Sequence, residues 1–197
     1  MLSARGLLVI SLFTLWRKWG RGEIMQERNK KNRKQKIVVV SGGFDPLHIG
    51  HIRYMQEARK LGDKLIVIIN NDNWKKQKRK NIFMPDYERK EIIEALTCVD
   101  EVIISGHSKN PKGPKDMSVS KELLKIKPHI FANGGDRNEE DAKNPNSSQY
   151  YDVEMCRRLG IEIVFNVGRG GKIRSSSELL KEYAKKIYRS NSGQVKK

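Results

Sequence analysis

The sequence predicts an α/β protein in which five parallel strands form a doubly wound sheet with helices on both faces. Short runs dense in Val and Ile alternate along the chain with longer stretches whose apolar residues recur at helical spacing. The Val/Ile runs are apolar on both sides, as in strands that are buried between two helical layers. At 197 residues the chain is long enough to form one sizeable core.

Strands and helices are expected to alternate strictly from residue 37 onward. The strand candidates are residues 37–40, 65–69, 101–104, 129–132 and 161–165. The helix candidates are residues 49–61, 86–96, 120–126, 147–159 and 176–188. With right-handed crossovers this order gives a Rossmann-like sheet, in which ligands bind outside the carboxyl ends of the strands.

Two long connections interrupt this alternation. Residues 70–84 are rich in Lys and Arg, and residues 106–117 are rich in Pro, Gly and Lys. Connections of this length are uncommon unless they are functional or mobile. We expect the first to serve function, because it leaves the carboxyl end of the second strand.

The positive charge is concentrated at the amino end. The net charge is +17, and residues 1–36 hold ten Lys and Arg against two Glu. We interpret residues 1–36 as a basic extension, residues 37–190 as the folded domain and residues 191–197 as a basic tail. A solvated arm is the simplest interpretation of the extension, and weak contact with anionic lipid or nucleic acid stays open.

Cysteine usage and the apolar amino-terminal segment bear on location. Cys98 and Cys156 form no C-x-x-C pair, which fits a reducing cytoplasm and gives neither a disulfide framework nor a zinc site. Residues 7–16 are apolar, but a membrane-spanning helix needs about twenty such residues. Membrane adhesion remains one alternative, and translation from Met25, without residues 1–24, is another.

The stretch SGGFDPLHIGH, residues 41–51, joins the first strand to the first helix. Gly42 and Gly43 allow a sharp turn and let backbone amides approach a phosphate closely. The helix is expected to start near His48, so its free amides and the positive end of its dipole face the same point. These features together predict an anion-binding site.

His48 and His51 are separated by three residues, which places both imidazoles on one side of the first helical turn. Gly50 leaves the space between them open. Such a pair can donate hydrogen bonds to phosphate oxygens whose charge grows in the transition state. Capping or packing would explain a lone histidine here, and a zinc site would need a further ligand nearby in the sequence.

Together these residues resemble the H-x-G-H signature of the nucleotidyltransferase superfamily, and the resemblance extends over roughly residues 37–188. It includes ARKLGD at 58–63, YERK at 87–90, VDEV at 99–102, NGGD at 133–136 and RSSS at 174–177. Within the superfamily the chain is most similar to glycerol-3-phosphate cytidylyltransferases and to the heptose-1-phosphate adenylyltransferase domain.

The resemblance implies a set of site residues. It implies catalytic roles for His48 and His51 and places the nucleotide on Gly42, Gly43, Phe44, Asp45 and Gly50. It implies that Ser175, Ser176 and Ser177 hold the departing phosphates, and hydroxyls beside free helix amides suit that task. Asp136 is expected to hold the base or the acceptor, although a turn-forming role would also explain an Asp after two glycines.

The resemblance also implies a lysine that reaches the α-phosphate from the connection after the second strand. The candidates are Lys75, Lys76, Lys78, Arg79 and Lys80. Spacing from Asp72 and Tyr87 favours Lys78, which we assign as catalytic. An arginine ahead of the serine turn corresponds to Arg169, with one extra residue in the interval, and Arg174 is the alternative.

The expected reaction is transfer of a CMP or AMP group from CTP or ATP to a phosphorylated sugar or polyol, with release of pyrophosphate. We expect Mg²⁺, with Asp45 as its nearest carboxylate ligand. Adenylyl transfer to flavin or nicotinamide mononucleotide remains an alternative, as does a non-catalytic basic protein that binds nucleotides or polyanions. A homodimer is a further expectation from the resemblance.

Overall fold

The structure is a computed structural model, and it describes residues 34–134, 137, 140–168 and 175–194. Contacts divide the chain into two units, Met1–Gln35 and Lys36–Lys197, and every strand and helix described below belongs to the second. The finer domain bounds given above stay a prediction.

Within the described residues, strands and helices alternate as expected. The strands are β1 (Ile37–Gly42), β2 (Lys64–Ile69), β3 (Glu101–Ile104), β4 (Ile130–Gly134) and β5 (Glu162–Val167). The helices are α1 (Ile49–Arg59), α2 (Asp72–Arg79), α3 (Asp86–Glu94), α4 (Ser120–Ile126), α5 (Ser148–Leu159) and α6 (Ser176–Gln194). Short 3₁₀ turns cover Pro114–Met117 and Asp141–Lys143.

All five strands are parallel and lie in the order β3-β2-β1-β4-β5, which confirms the predicted doubly wound sheet. β1 is central, with Gly42 opposite Ile69 of β2 and Val39 opposite Phe131 of β4. The strand order reverses between β1 and β4, so the connections that leave these two strands diverge and open a crevice. The end of β1 therefore lies where such sheets bind ligands.

The two faces of the sheet bury separate apolar clusters. On one face Val38 and Val40 pack with Met55 of α1, and on the other Val39 packs with Leu123 of α4 and Cys156 of α5. Successive side chains of β1 thus enter opposite clusters, as the period of a strand requires. This packing on both faces anchors β1 and fixes the position of the loop that follows it.

The main difference from the sequence-based prediction is α2, which lies inside the long connection 70–84. Its sequence, DNWKKQKR, has a single apolar residue and so gives no helical periodicity. Its ends are nevertheless well capped. Asn71 accepts a hydrogen bond from the backbone N–H of Trp74 at 3.0 Å, and Lys80 ends the helix with a left-handed φ of 62°.

Other differences are confined to the ends of elements. α1 stops at Arg59 and α3 at Glu94, two residues short of the predicted ends, whereas α6 continues past residue 188 to Gln194. Helix ends are the least certain part of any pattern-based assignment. Among the described residues, no helix combines the length and the apolar character that crossing a bilayer requires.

Candidate functional site

The turn that follows β1, residues 42–46, is called the glycine loop here. Phe44 has a left-handed φ of 49° and is buried. A Cβ atom on Gly42 would lie 2.7 Å from the ring of Phe44, so a larger residue at position 42 would displace that ring. The peptide bond between Asp45 and Pro46 is cis. The loop thus folds its own aromatic side chain beneath the turn.

The two histidines lie together at the start of α1. His48 precedes the helix, and its Nδ1 accepts a hydrogen bond from the backbone N–H of Gly50 at 3.1 Å. The rings of His48 and His51 stack with their centroids 3.7 Å apart and an interplanar angle of 18°. A Cβ atom at position 50 would lie 3.0 Å from the ring of His48. Because Gly50 has no side chain, the ring of His48 can pack against the first turn of α1.

His51 is held in its neutral form. Burial, followed by the nearby His48 and Lys75, lowers the pKa of His51 to about 3. The edge of the Phe44 ring meets the ring of His51 at a centroid distance of 5.1 Å. Nδ1 of His51 is buried and has no hydrogen-bond partner among the described residues. A buried polar atom of this kind requires an explanation, and a ligand group is one.

Lys75, not Lys78, lies beside the glycine loop. Lys75 is only 7% exposed, and its Cδ would be 3.3 Å from a Cβ atom on Gly43. Its Nζ pairs with a carboxylate oxygen of Asp45 at 3.0 Å. Lys78 is exposed, with its Nζ 5.9 Å from the centroid of the Trp74 ring. Our choice of Lys78 as the lysine at the phosphates therefore does not agree with this geometry.

The carboxylate of Asp45 is already engaged by protein groups. It accepts hydrogen bonds from the backbone N–H groups of Phe83, at 3.1 Å, and Met84, at 2.7 Å, besides the ion pair with Lys75. No group of three or more His, Cys, Asp or Glu side chains that could hold a metal ion occurs among the described residues. These residues do not fit the magnesium site that we predicted at Asp45, and the Mg²⁺ requirement stays a prediction.

Arg89 of α3 connects the segments around the loop, and we assigned it no role from the sequence. It is 1% exposed, and its guanidinium donates to the carbonyl oxygens of Gly43 at 2.6 Å, Asn70 at 2.8 Å and Met84 at 2.9 Å. It also pairs with Asp72 at 2.7 Å. Arg89 lies in the motif YERK, residues 87–90. Several side chains of α3 are charged, and the sequence does not show which of them is buried.

The serine turn, residues 175–177, is hydrogen-bonded to the glycine loop. Ser175 and Glu178 form the reciprocal hydrogen bonds of a capping box, each 3.1 Å long. The hydroxyl of Ser176 donates to the carbonyl oxygen of Pro46 at 3.0 Å. Ser177 is half-buried. Capping thus accounts for Ser175, and Ser176 links α6 to the loop.

Three predicted site residues cannot be placed. Asp136, Arg169 and Arg174 lie outside the described residues, and their roles stay predictions.

Two buried asparagines flank the end of β1. Asn70 follows β2 and Asn133 lies in β4, and they are 2% and 1% exposed. Oδ1 of Asn70 and Nδ2 of Asn133 have no partners within the described part of the chain. Oδ1 of Asn133 accepts from Arg137 at 3.4 Å. Unpaired polar atoms thus lie at the carboxyl ends of β2 and β4, at the edge of the sheet where ligands bind in this fold.

A cleft of about 280 Å³ lies beside α2. Gln77 and Lys78 of α2 contribute to its lining, which is completed by Pro111, Gly113, Pro114, Met117, Asn146 and Ser148. Trp74 connects the cleft to the glycine loop: its Nε1 donates to the carbonyl oxygen of Met117 at 2.9 Å, and its ring lies 3.8 Å from a Cβ position on Gly43.

The family follows from a match over most of the chain: the model of the cytidylyltransferase-like family covers residues 39–187. The chain belongs to the cytidylyltransferase-like family of nucleotidyltransferases. The predicted superfamily and enzyme class are thereby confirmed.

Named relatives of this family member include an FAD synthase from Ferroglobus placidus, 40% identical over 102 residues. That match covers 52% of this chain and 60% of the relative. The bifunctional protein HldE from Pelobacter propionicus is 37% identical over 109 residues, which cover 54% of this chain and 20% of HldE.

A solved structure is also similar to this chain. It is the crystal structure of the lipopolysaccharide core biosynthesis protein from Thermoplasma volcanium, with a TM-score of 0.51 and 26% identity. The superposition covers 68% of this chain and 98% of that protein. This similarity agrees with the observed α/β architecture.

Proposed function

We propose that this protein transfers the adenylyl group of ATP to flavin mononucleotide and releases pyrophosphate. One arrangement carries the nucleotidyl-transfer part of the proposal: the stacked His48 and His51 at the start of α1, directly after the glycine loop. The flavin part has separate support, because a relative with 40% identity is named FAD synthase. Because of this relative, our preferred acceptor is flavin mononucleotide and no longer a sugar or polyol phosphate.

The glycine loop and the first turn of α1 supply the phosphate site. Free backbone amides at a helix start, together with the helix dipole, favour anionic groups. His51 adds an N–H donor from a neutral ring, which carries no charge of its own to be compensated. These groups bind the triphosphate and neutralise the charge that grows on its oxygens during the reaction.

The chemical step is an in-line displacement. A phosphate oxygen of the acceptor attacks the α-phosphorus of ATP and forms a new P–O bond. The bond from the α-phosphorus to the bridging oxygen breaks, and pyrophosphate leaves with that electron pair. The protein contributes alignment and hydrogen bonds to the reacting oxygens, so no covalent enzyme intermediate is needed.

Lys75 takes the role that we first gave to Lys78. It is the buried lysine of α2 next to Gly43, and its partner in this structure is the carboxylate of Asp45. A triphosphate on the glycine loop brings several negative charges close to this ammonium group. Lys75 then shares its hydrogen bonds between Asp45 and the α-phosphate.

The cleft beside Trp74 is the proposed place for the ring system of the acceptor. Its walls include Pro111, Pro114 and Met117, with Lys78 at its edge. A volume of about 280 Å³ lies at the lower end of the range for small-molecule sites. Its other walls are polar, from Gln77, Asn146 and Ser148. Pro and Met side chains beside polar groups and one cation suit a flat ring that has polar edges and carries a phosphate.

The direct test is an assay of product formation. The purified chain is incubated with ATP or CTP and with flavin mononucleotide, glycerol 3-phosphate or a heptose 1-phosphate in magnesium-containing buffer. We expect pyrophosphate and a flavin dinucleotide in equal amounts from ATP and flavin mononucleotide. Pyrophosphate from a sugar phosphate alone would overturn the flavin acceptor, and none from any pair would overturn nucleotidyl transfer.

Sugar-phosphate transfer is the second candidate. It has the support of the partial match to HldE and of the similar structure titled as a lipopolysaccharide core biosynthesis protein. The same assay separates the two candidates, because the acceptors are compared at equal concentration.

A further inference from the structure

A buried histidine lies in the connection between β3 and α4, residues 105–119, which is called the β3–α4 connection here. His107 is 6% exposed, although Gly106 and Ser108 on either side of it are exposed. A polar ring that is buried in an irregular segment is stable only where protein groups take up its hydrogen-bonding atoms. The contacts of His107 therefore show what this ring holds in place.

Both ring nitrogens of His107 are engaged by protein groups. Nε2 lies 3.1 Å from the carbonyl oxygen of Ser118, and Nδ1 lies 2.5 Å from the hydroxyl oxygen of Ser105. Because a carbonyl oxygen only accepts, Nε2 carries the hydrogen of that bond. Burial lowers the pKa of His107, so the ring is neutral at pH 7 and its Nδ1 accepts from the hydroxyl of Ser105.

These contacts continue to the start of α2. The hydroxyl oxygen of Ser105 accepts from the backbone N–H of Asn71 at 3.0 Å, and Asn71 caps α2. The carbonyl oxygen of His107 accepts from Nδ2 of Asn71 at 2.9 Å and from Nδ2 of Asn73 at 3.0 Å. His107 thus holds the first turn of α2 in two ways, through Ser105 and through its own backbone.

α2 and the β3–α4 connection both line the cleft. The connection contributes Pro111, Gly113, Pro114 and Met117, and α2 contributes Gln77 and Lys78. Two further hydrogen bonds join these walls: Trp74 donates to the carbonyl oxygen of Met117, and Gln77 donates to that of Lys109, each at 2.9 Å. The bonds centred on His107 therefore help to fix the spacing between the two walls.

Lys75 has anchors that do not involve His107. Its Nζ pairs with Asp45 at 3.0 Å, and Arg89 pairs with Asp72 in the first turn of α2 at 2.7 Å. These ion pairs hold α2 on the side of the glycine loop. Loss of the contacts of His107 should therefore change the cleft more than the position of Lys75.

We propose that His107 is a positioning residue for the acceptor: through Ser105 and Ser118 it fixes the spacing between α2 and the β3–α4 connection, and thereby the affinity of the cleft for flavin mononucleotide. Its ring nitrogens are occupied by protein groups, so it is assigned no contact with substrate. This inference rests on the proposed function, because it takes the cleft as the site of the acceptor.

Steady-state kinetics with ATP and flavin mononucleotide test the proposal. Ser105→Ala removes the hydroxyl that links His107 to Asn71 and should raise KM for flavin mononucleotide by about fivefold or more. The values of kcat and of KM for ATP should stay within about twofold, because the anchors of Lys75 are kept. His107→Leu removes both ring contacts and should give the same split with a larger rise in KM.

Ser108→Ala is the matched control in the same connection. Its hydroxyl is exposed and accepts from the backbone N–H of Asn110 at 3.2 Å, away from α2. This variant should keep the wild-type KM for flavin mononucleotide. Circular dichroism and thermal unfolding of every variant show whether the fold is kept, and if His107→Leu does not fold, Ser105→Ala alone decides.

NMR of the wild-type protein tests the hydrogen-bond arrangement without any substrate. The nitrogen chemical shifts of His107 should show a hydrogen on Nε2 and none on Nδ1 at pH 7. A hydrogen on Nδ1 would overturn the assigned contacts and the proposal with them.

The kinetic outcomes separate this inference from the proposed function. A wild-type protein that does not turn over flavin mononucleotide would overturn the proposed function and, with it, this inference. Turnover by the wild type with an unchanged KM in Ser105→Ala would overturn the inference alone. Equal losses of kcat/KM for both substrates would show a general structural role and would also overturn it.

Discussion

The imidazole rings of His48 and His51 stack 3.7 Å apart at the point where α1 begins. His48 is fixed by the backbone of Gly50, and His51 is enclosed by Phe44 and neutral. The two rings therefore have fixed positions before any substrate arrives. Preorganised donors of this kind stabilise growing charge without the cost of reorganisation during the reaction.

Replacement of His51 by alanine should lower kcat. Loss of one preorganised donor to a reacting oxygen costs about 10²-fold in comparable sites, so we expect at least a tenfold decrease. The fold should survive, because His51 is half-buried at the rim and not in either apolar cluster. Steady-state kinetics and circular dichroism on the same samples check this. Full turnover in the variant would contradict the assigned role.

Lys75→Gln and Lys78→Gln form a matched pair on one helix. The first removes the buried cation beside Gly43 and should lower kcat by about tenfold or more. The second removes an exposed cation at the cleft and should mainly raise KM for the acceptor. Because Lys75→Gln also removes the ion pair with Asp45, the melting temperatures of both variants are measured by thermal unfolding. The reverse pattern of kinetic effects would restore our sequence-based choice of Lys78.

His51 should not titrate near neutral pH in the free protein. Its pKa is lowered from 6.5 to about 3, so the folded state binds no proton at His51 between these values while the unfolded state does. The contribution of His51 to stability is therefore lost as pH falls from about 6.5 towards 3. NMR titration of the imidazole resonances tests this directly. A midpoint near pH 6.5 for His51 would show that the ring is solvated.

Asp152 should make stability depend on pH in the opposite direction. Burial raises its pKa from 3.8 to about 7, so the folded state binds a proton that the unfolded state has lost between these values. This contribution is present below about pH 4 and is lost as pH rises through 7. Asp152→Asn keeps an acceptor for the backbone N–H of Val119, and denaturant unfolding at pH 5 and pH 8 should show a smaller difference than in the wild type. An unchanged difference would contradict the raised pKa.

Arg89→Lys should destabilise the protein although the charge is kept. A lysine cannot reproduce the planar set of donors that reaches Gly43, Asn70 and Met84, so buried carbonyl groups lose their partners. We expect a loss of about 2 kcal/mol or more in the free energy of unfolding. Arg157→Lys is the control, because its pair with Glu154 is exposed and contributes less than about 1 kcal/mol. Equal effects of the two substitutions would contradict this.

The sheet could be predicted because its determinants are local. Most of the strands are runs rich in Val and Ile, and the alternation with helices limits the topology to a few arrangements. The glycine loop and the histidines were visible for the same reason, since all of them lie within residues 41–51. α2 was missed because its stability comes from its caps and from the pair between Asp72 and Arg89, not from an apolar face.

The roles of Lys75 and Arg89 could not be predicted because they arise from contacts between distant segments. Lys75 meets Asp45 across 30 residues, and Arg89 meets Gly43 across 46. Several lysines of the same connection look alike in the sequence, and only burial distinguishes Lys75 from them. Pattern reasoning identifies the segment that carries such a residue but not the residue itself.

A crystal structure with a non-hydrolysable ATP analogue tests the central claim most directly. The account predicts phosphate oxygens on the glycine loop, within about 2.7–3.2 Å of a ring nitrogen of His51 and of backbone amides at the start of α1. Phosphates bound elsewhere on the chain, with the rings of His48 and His51 out of contact, would contradict it.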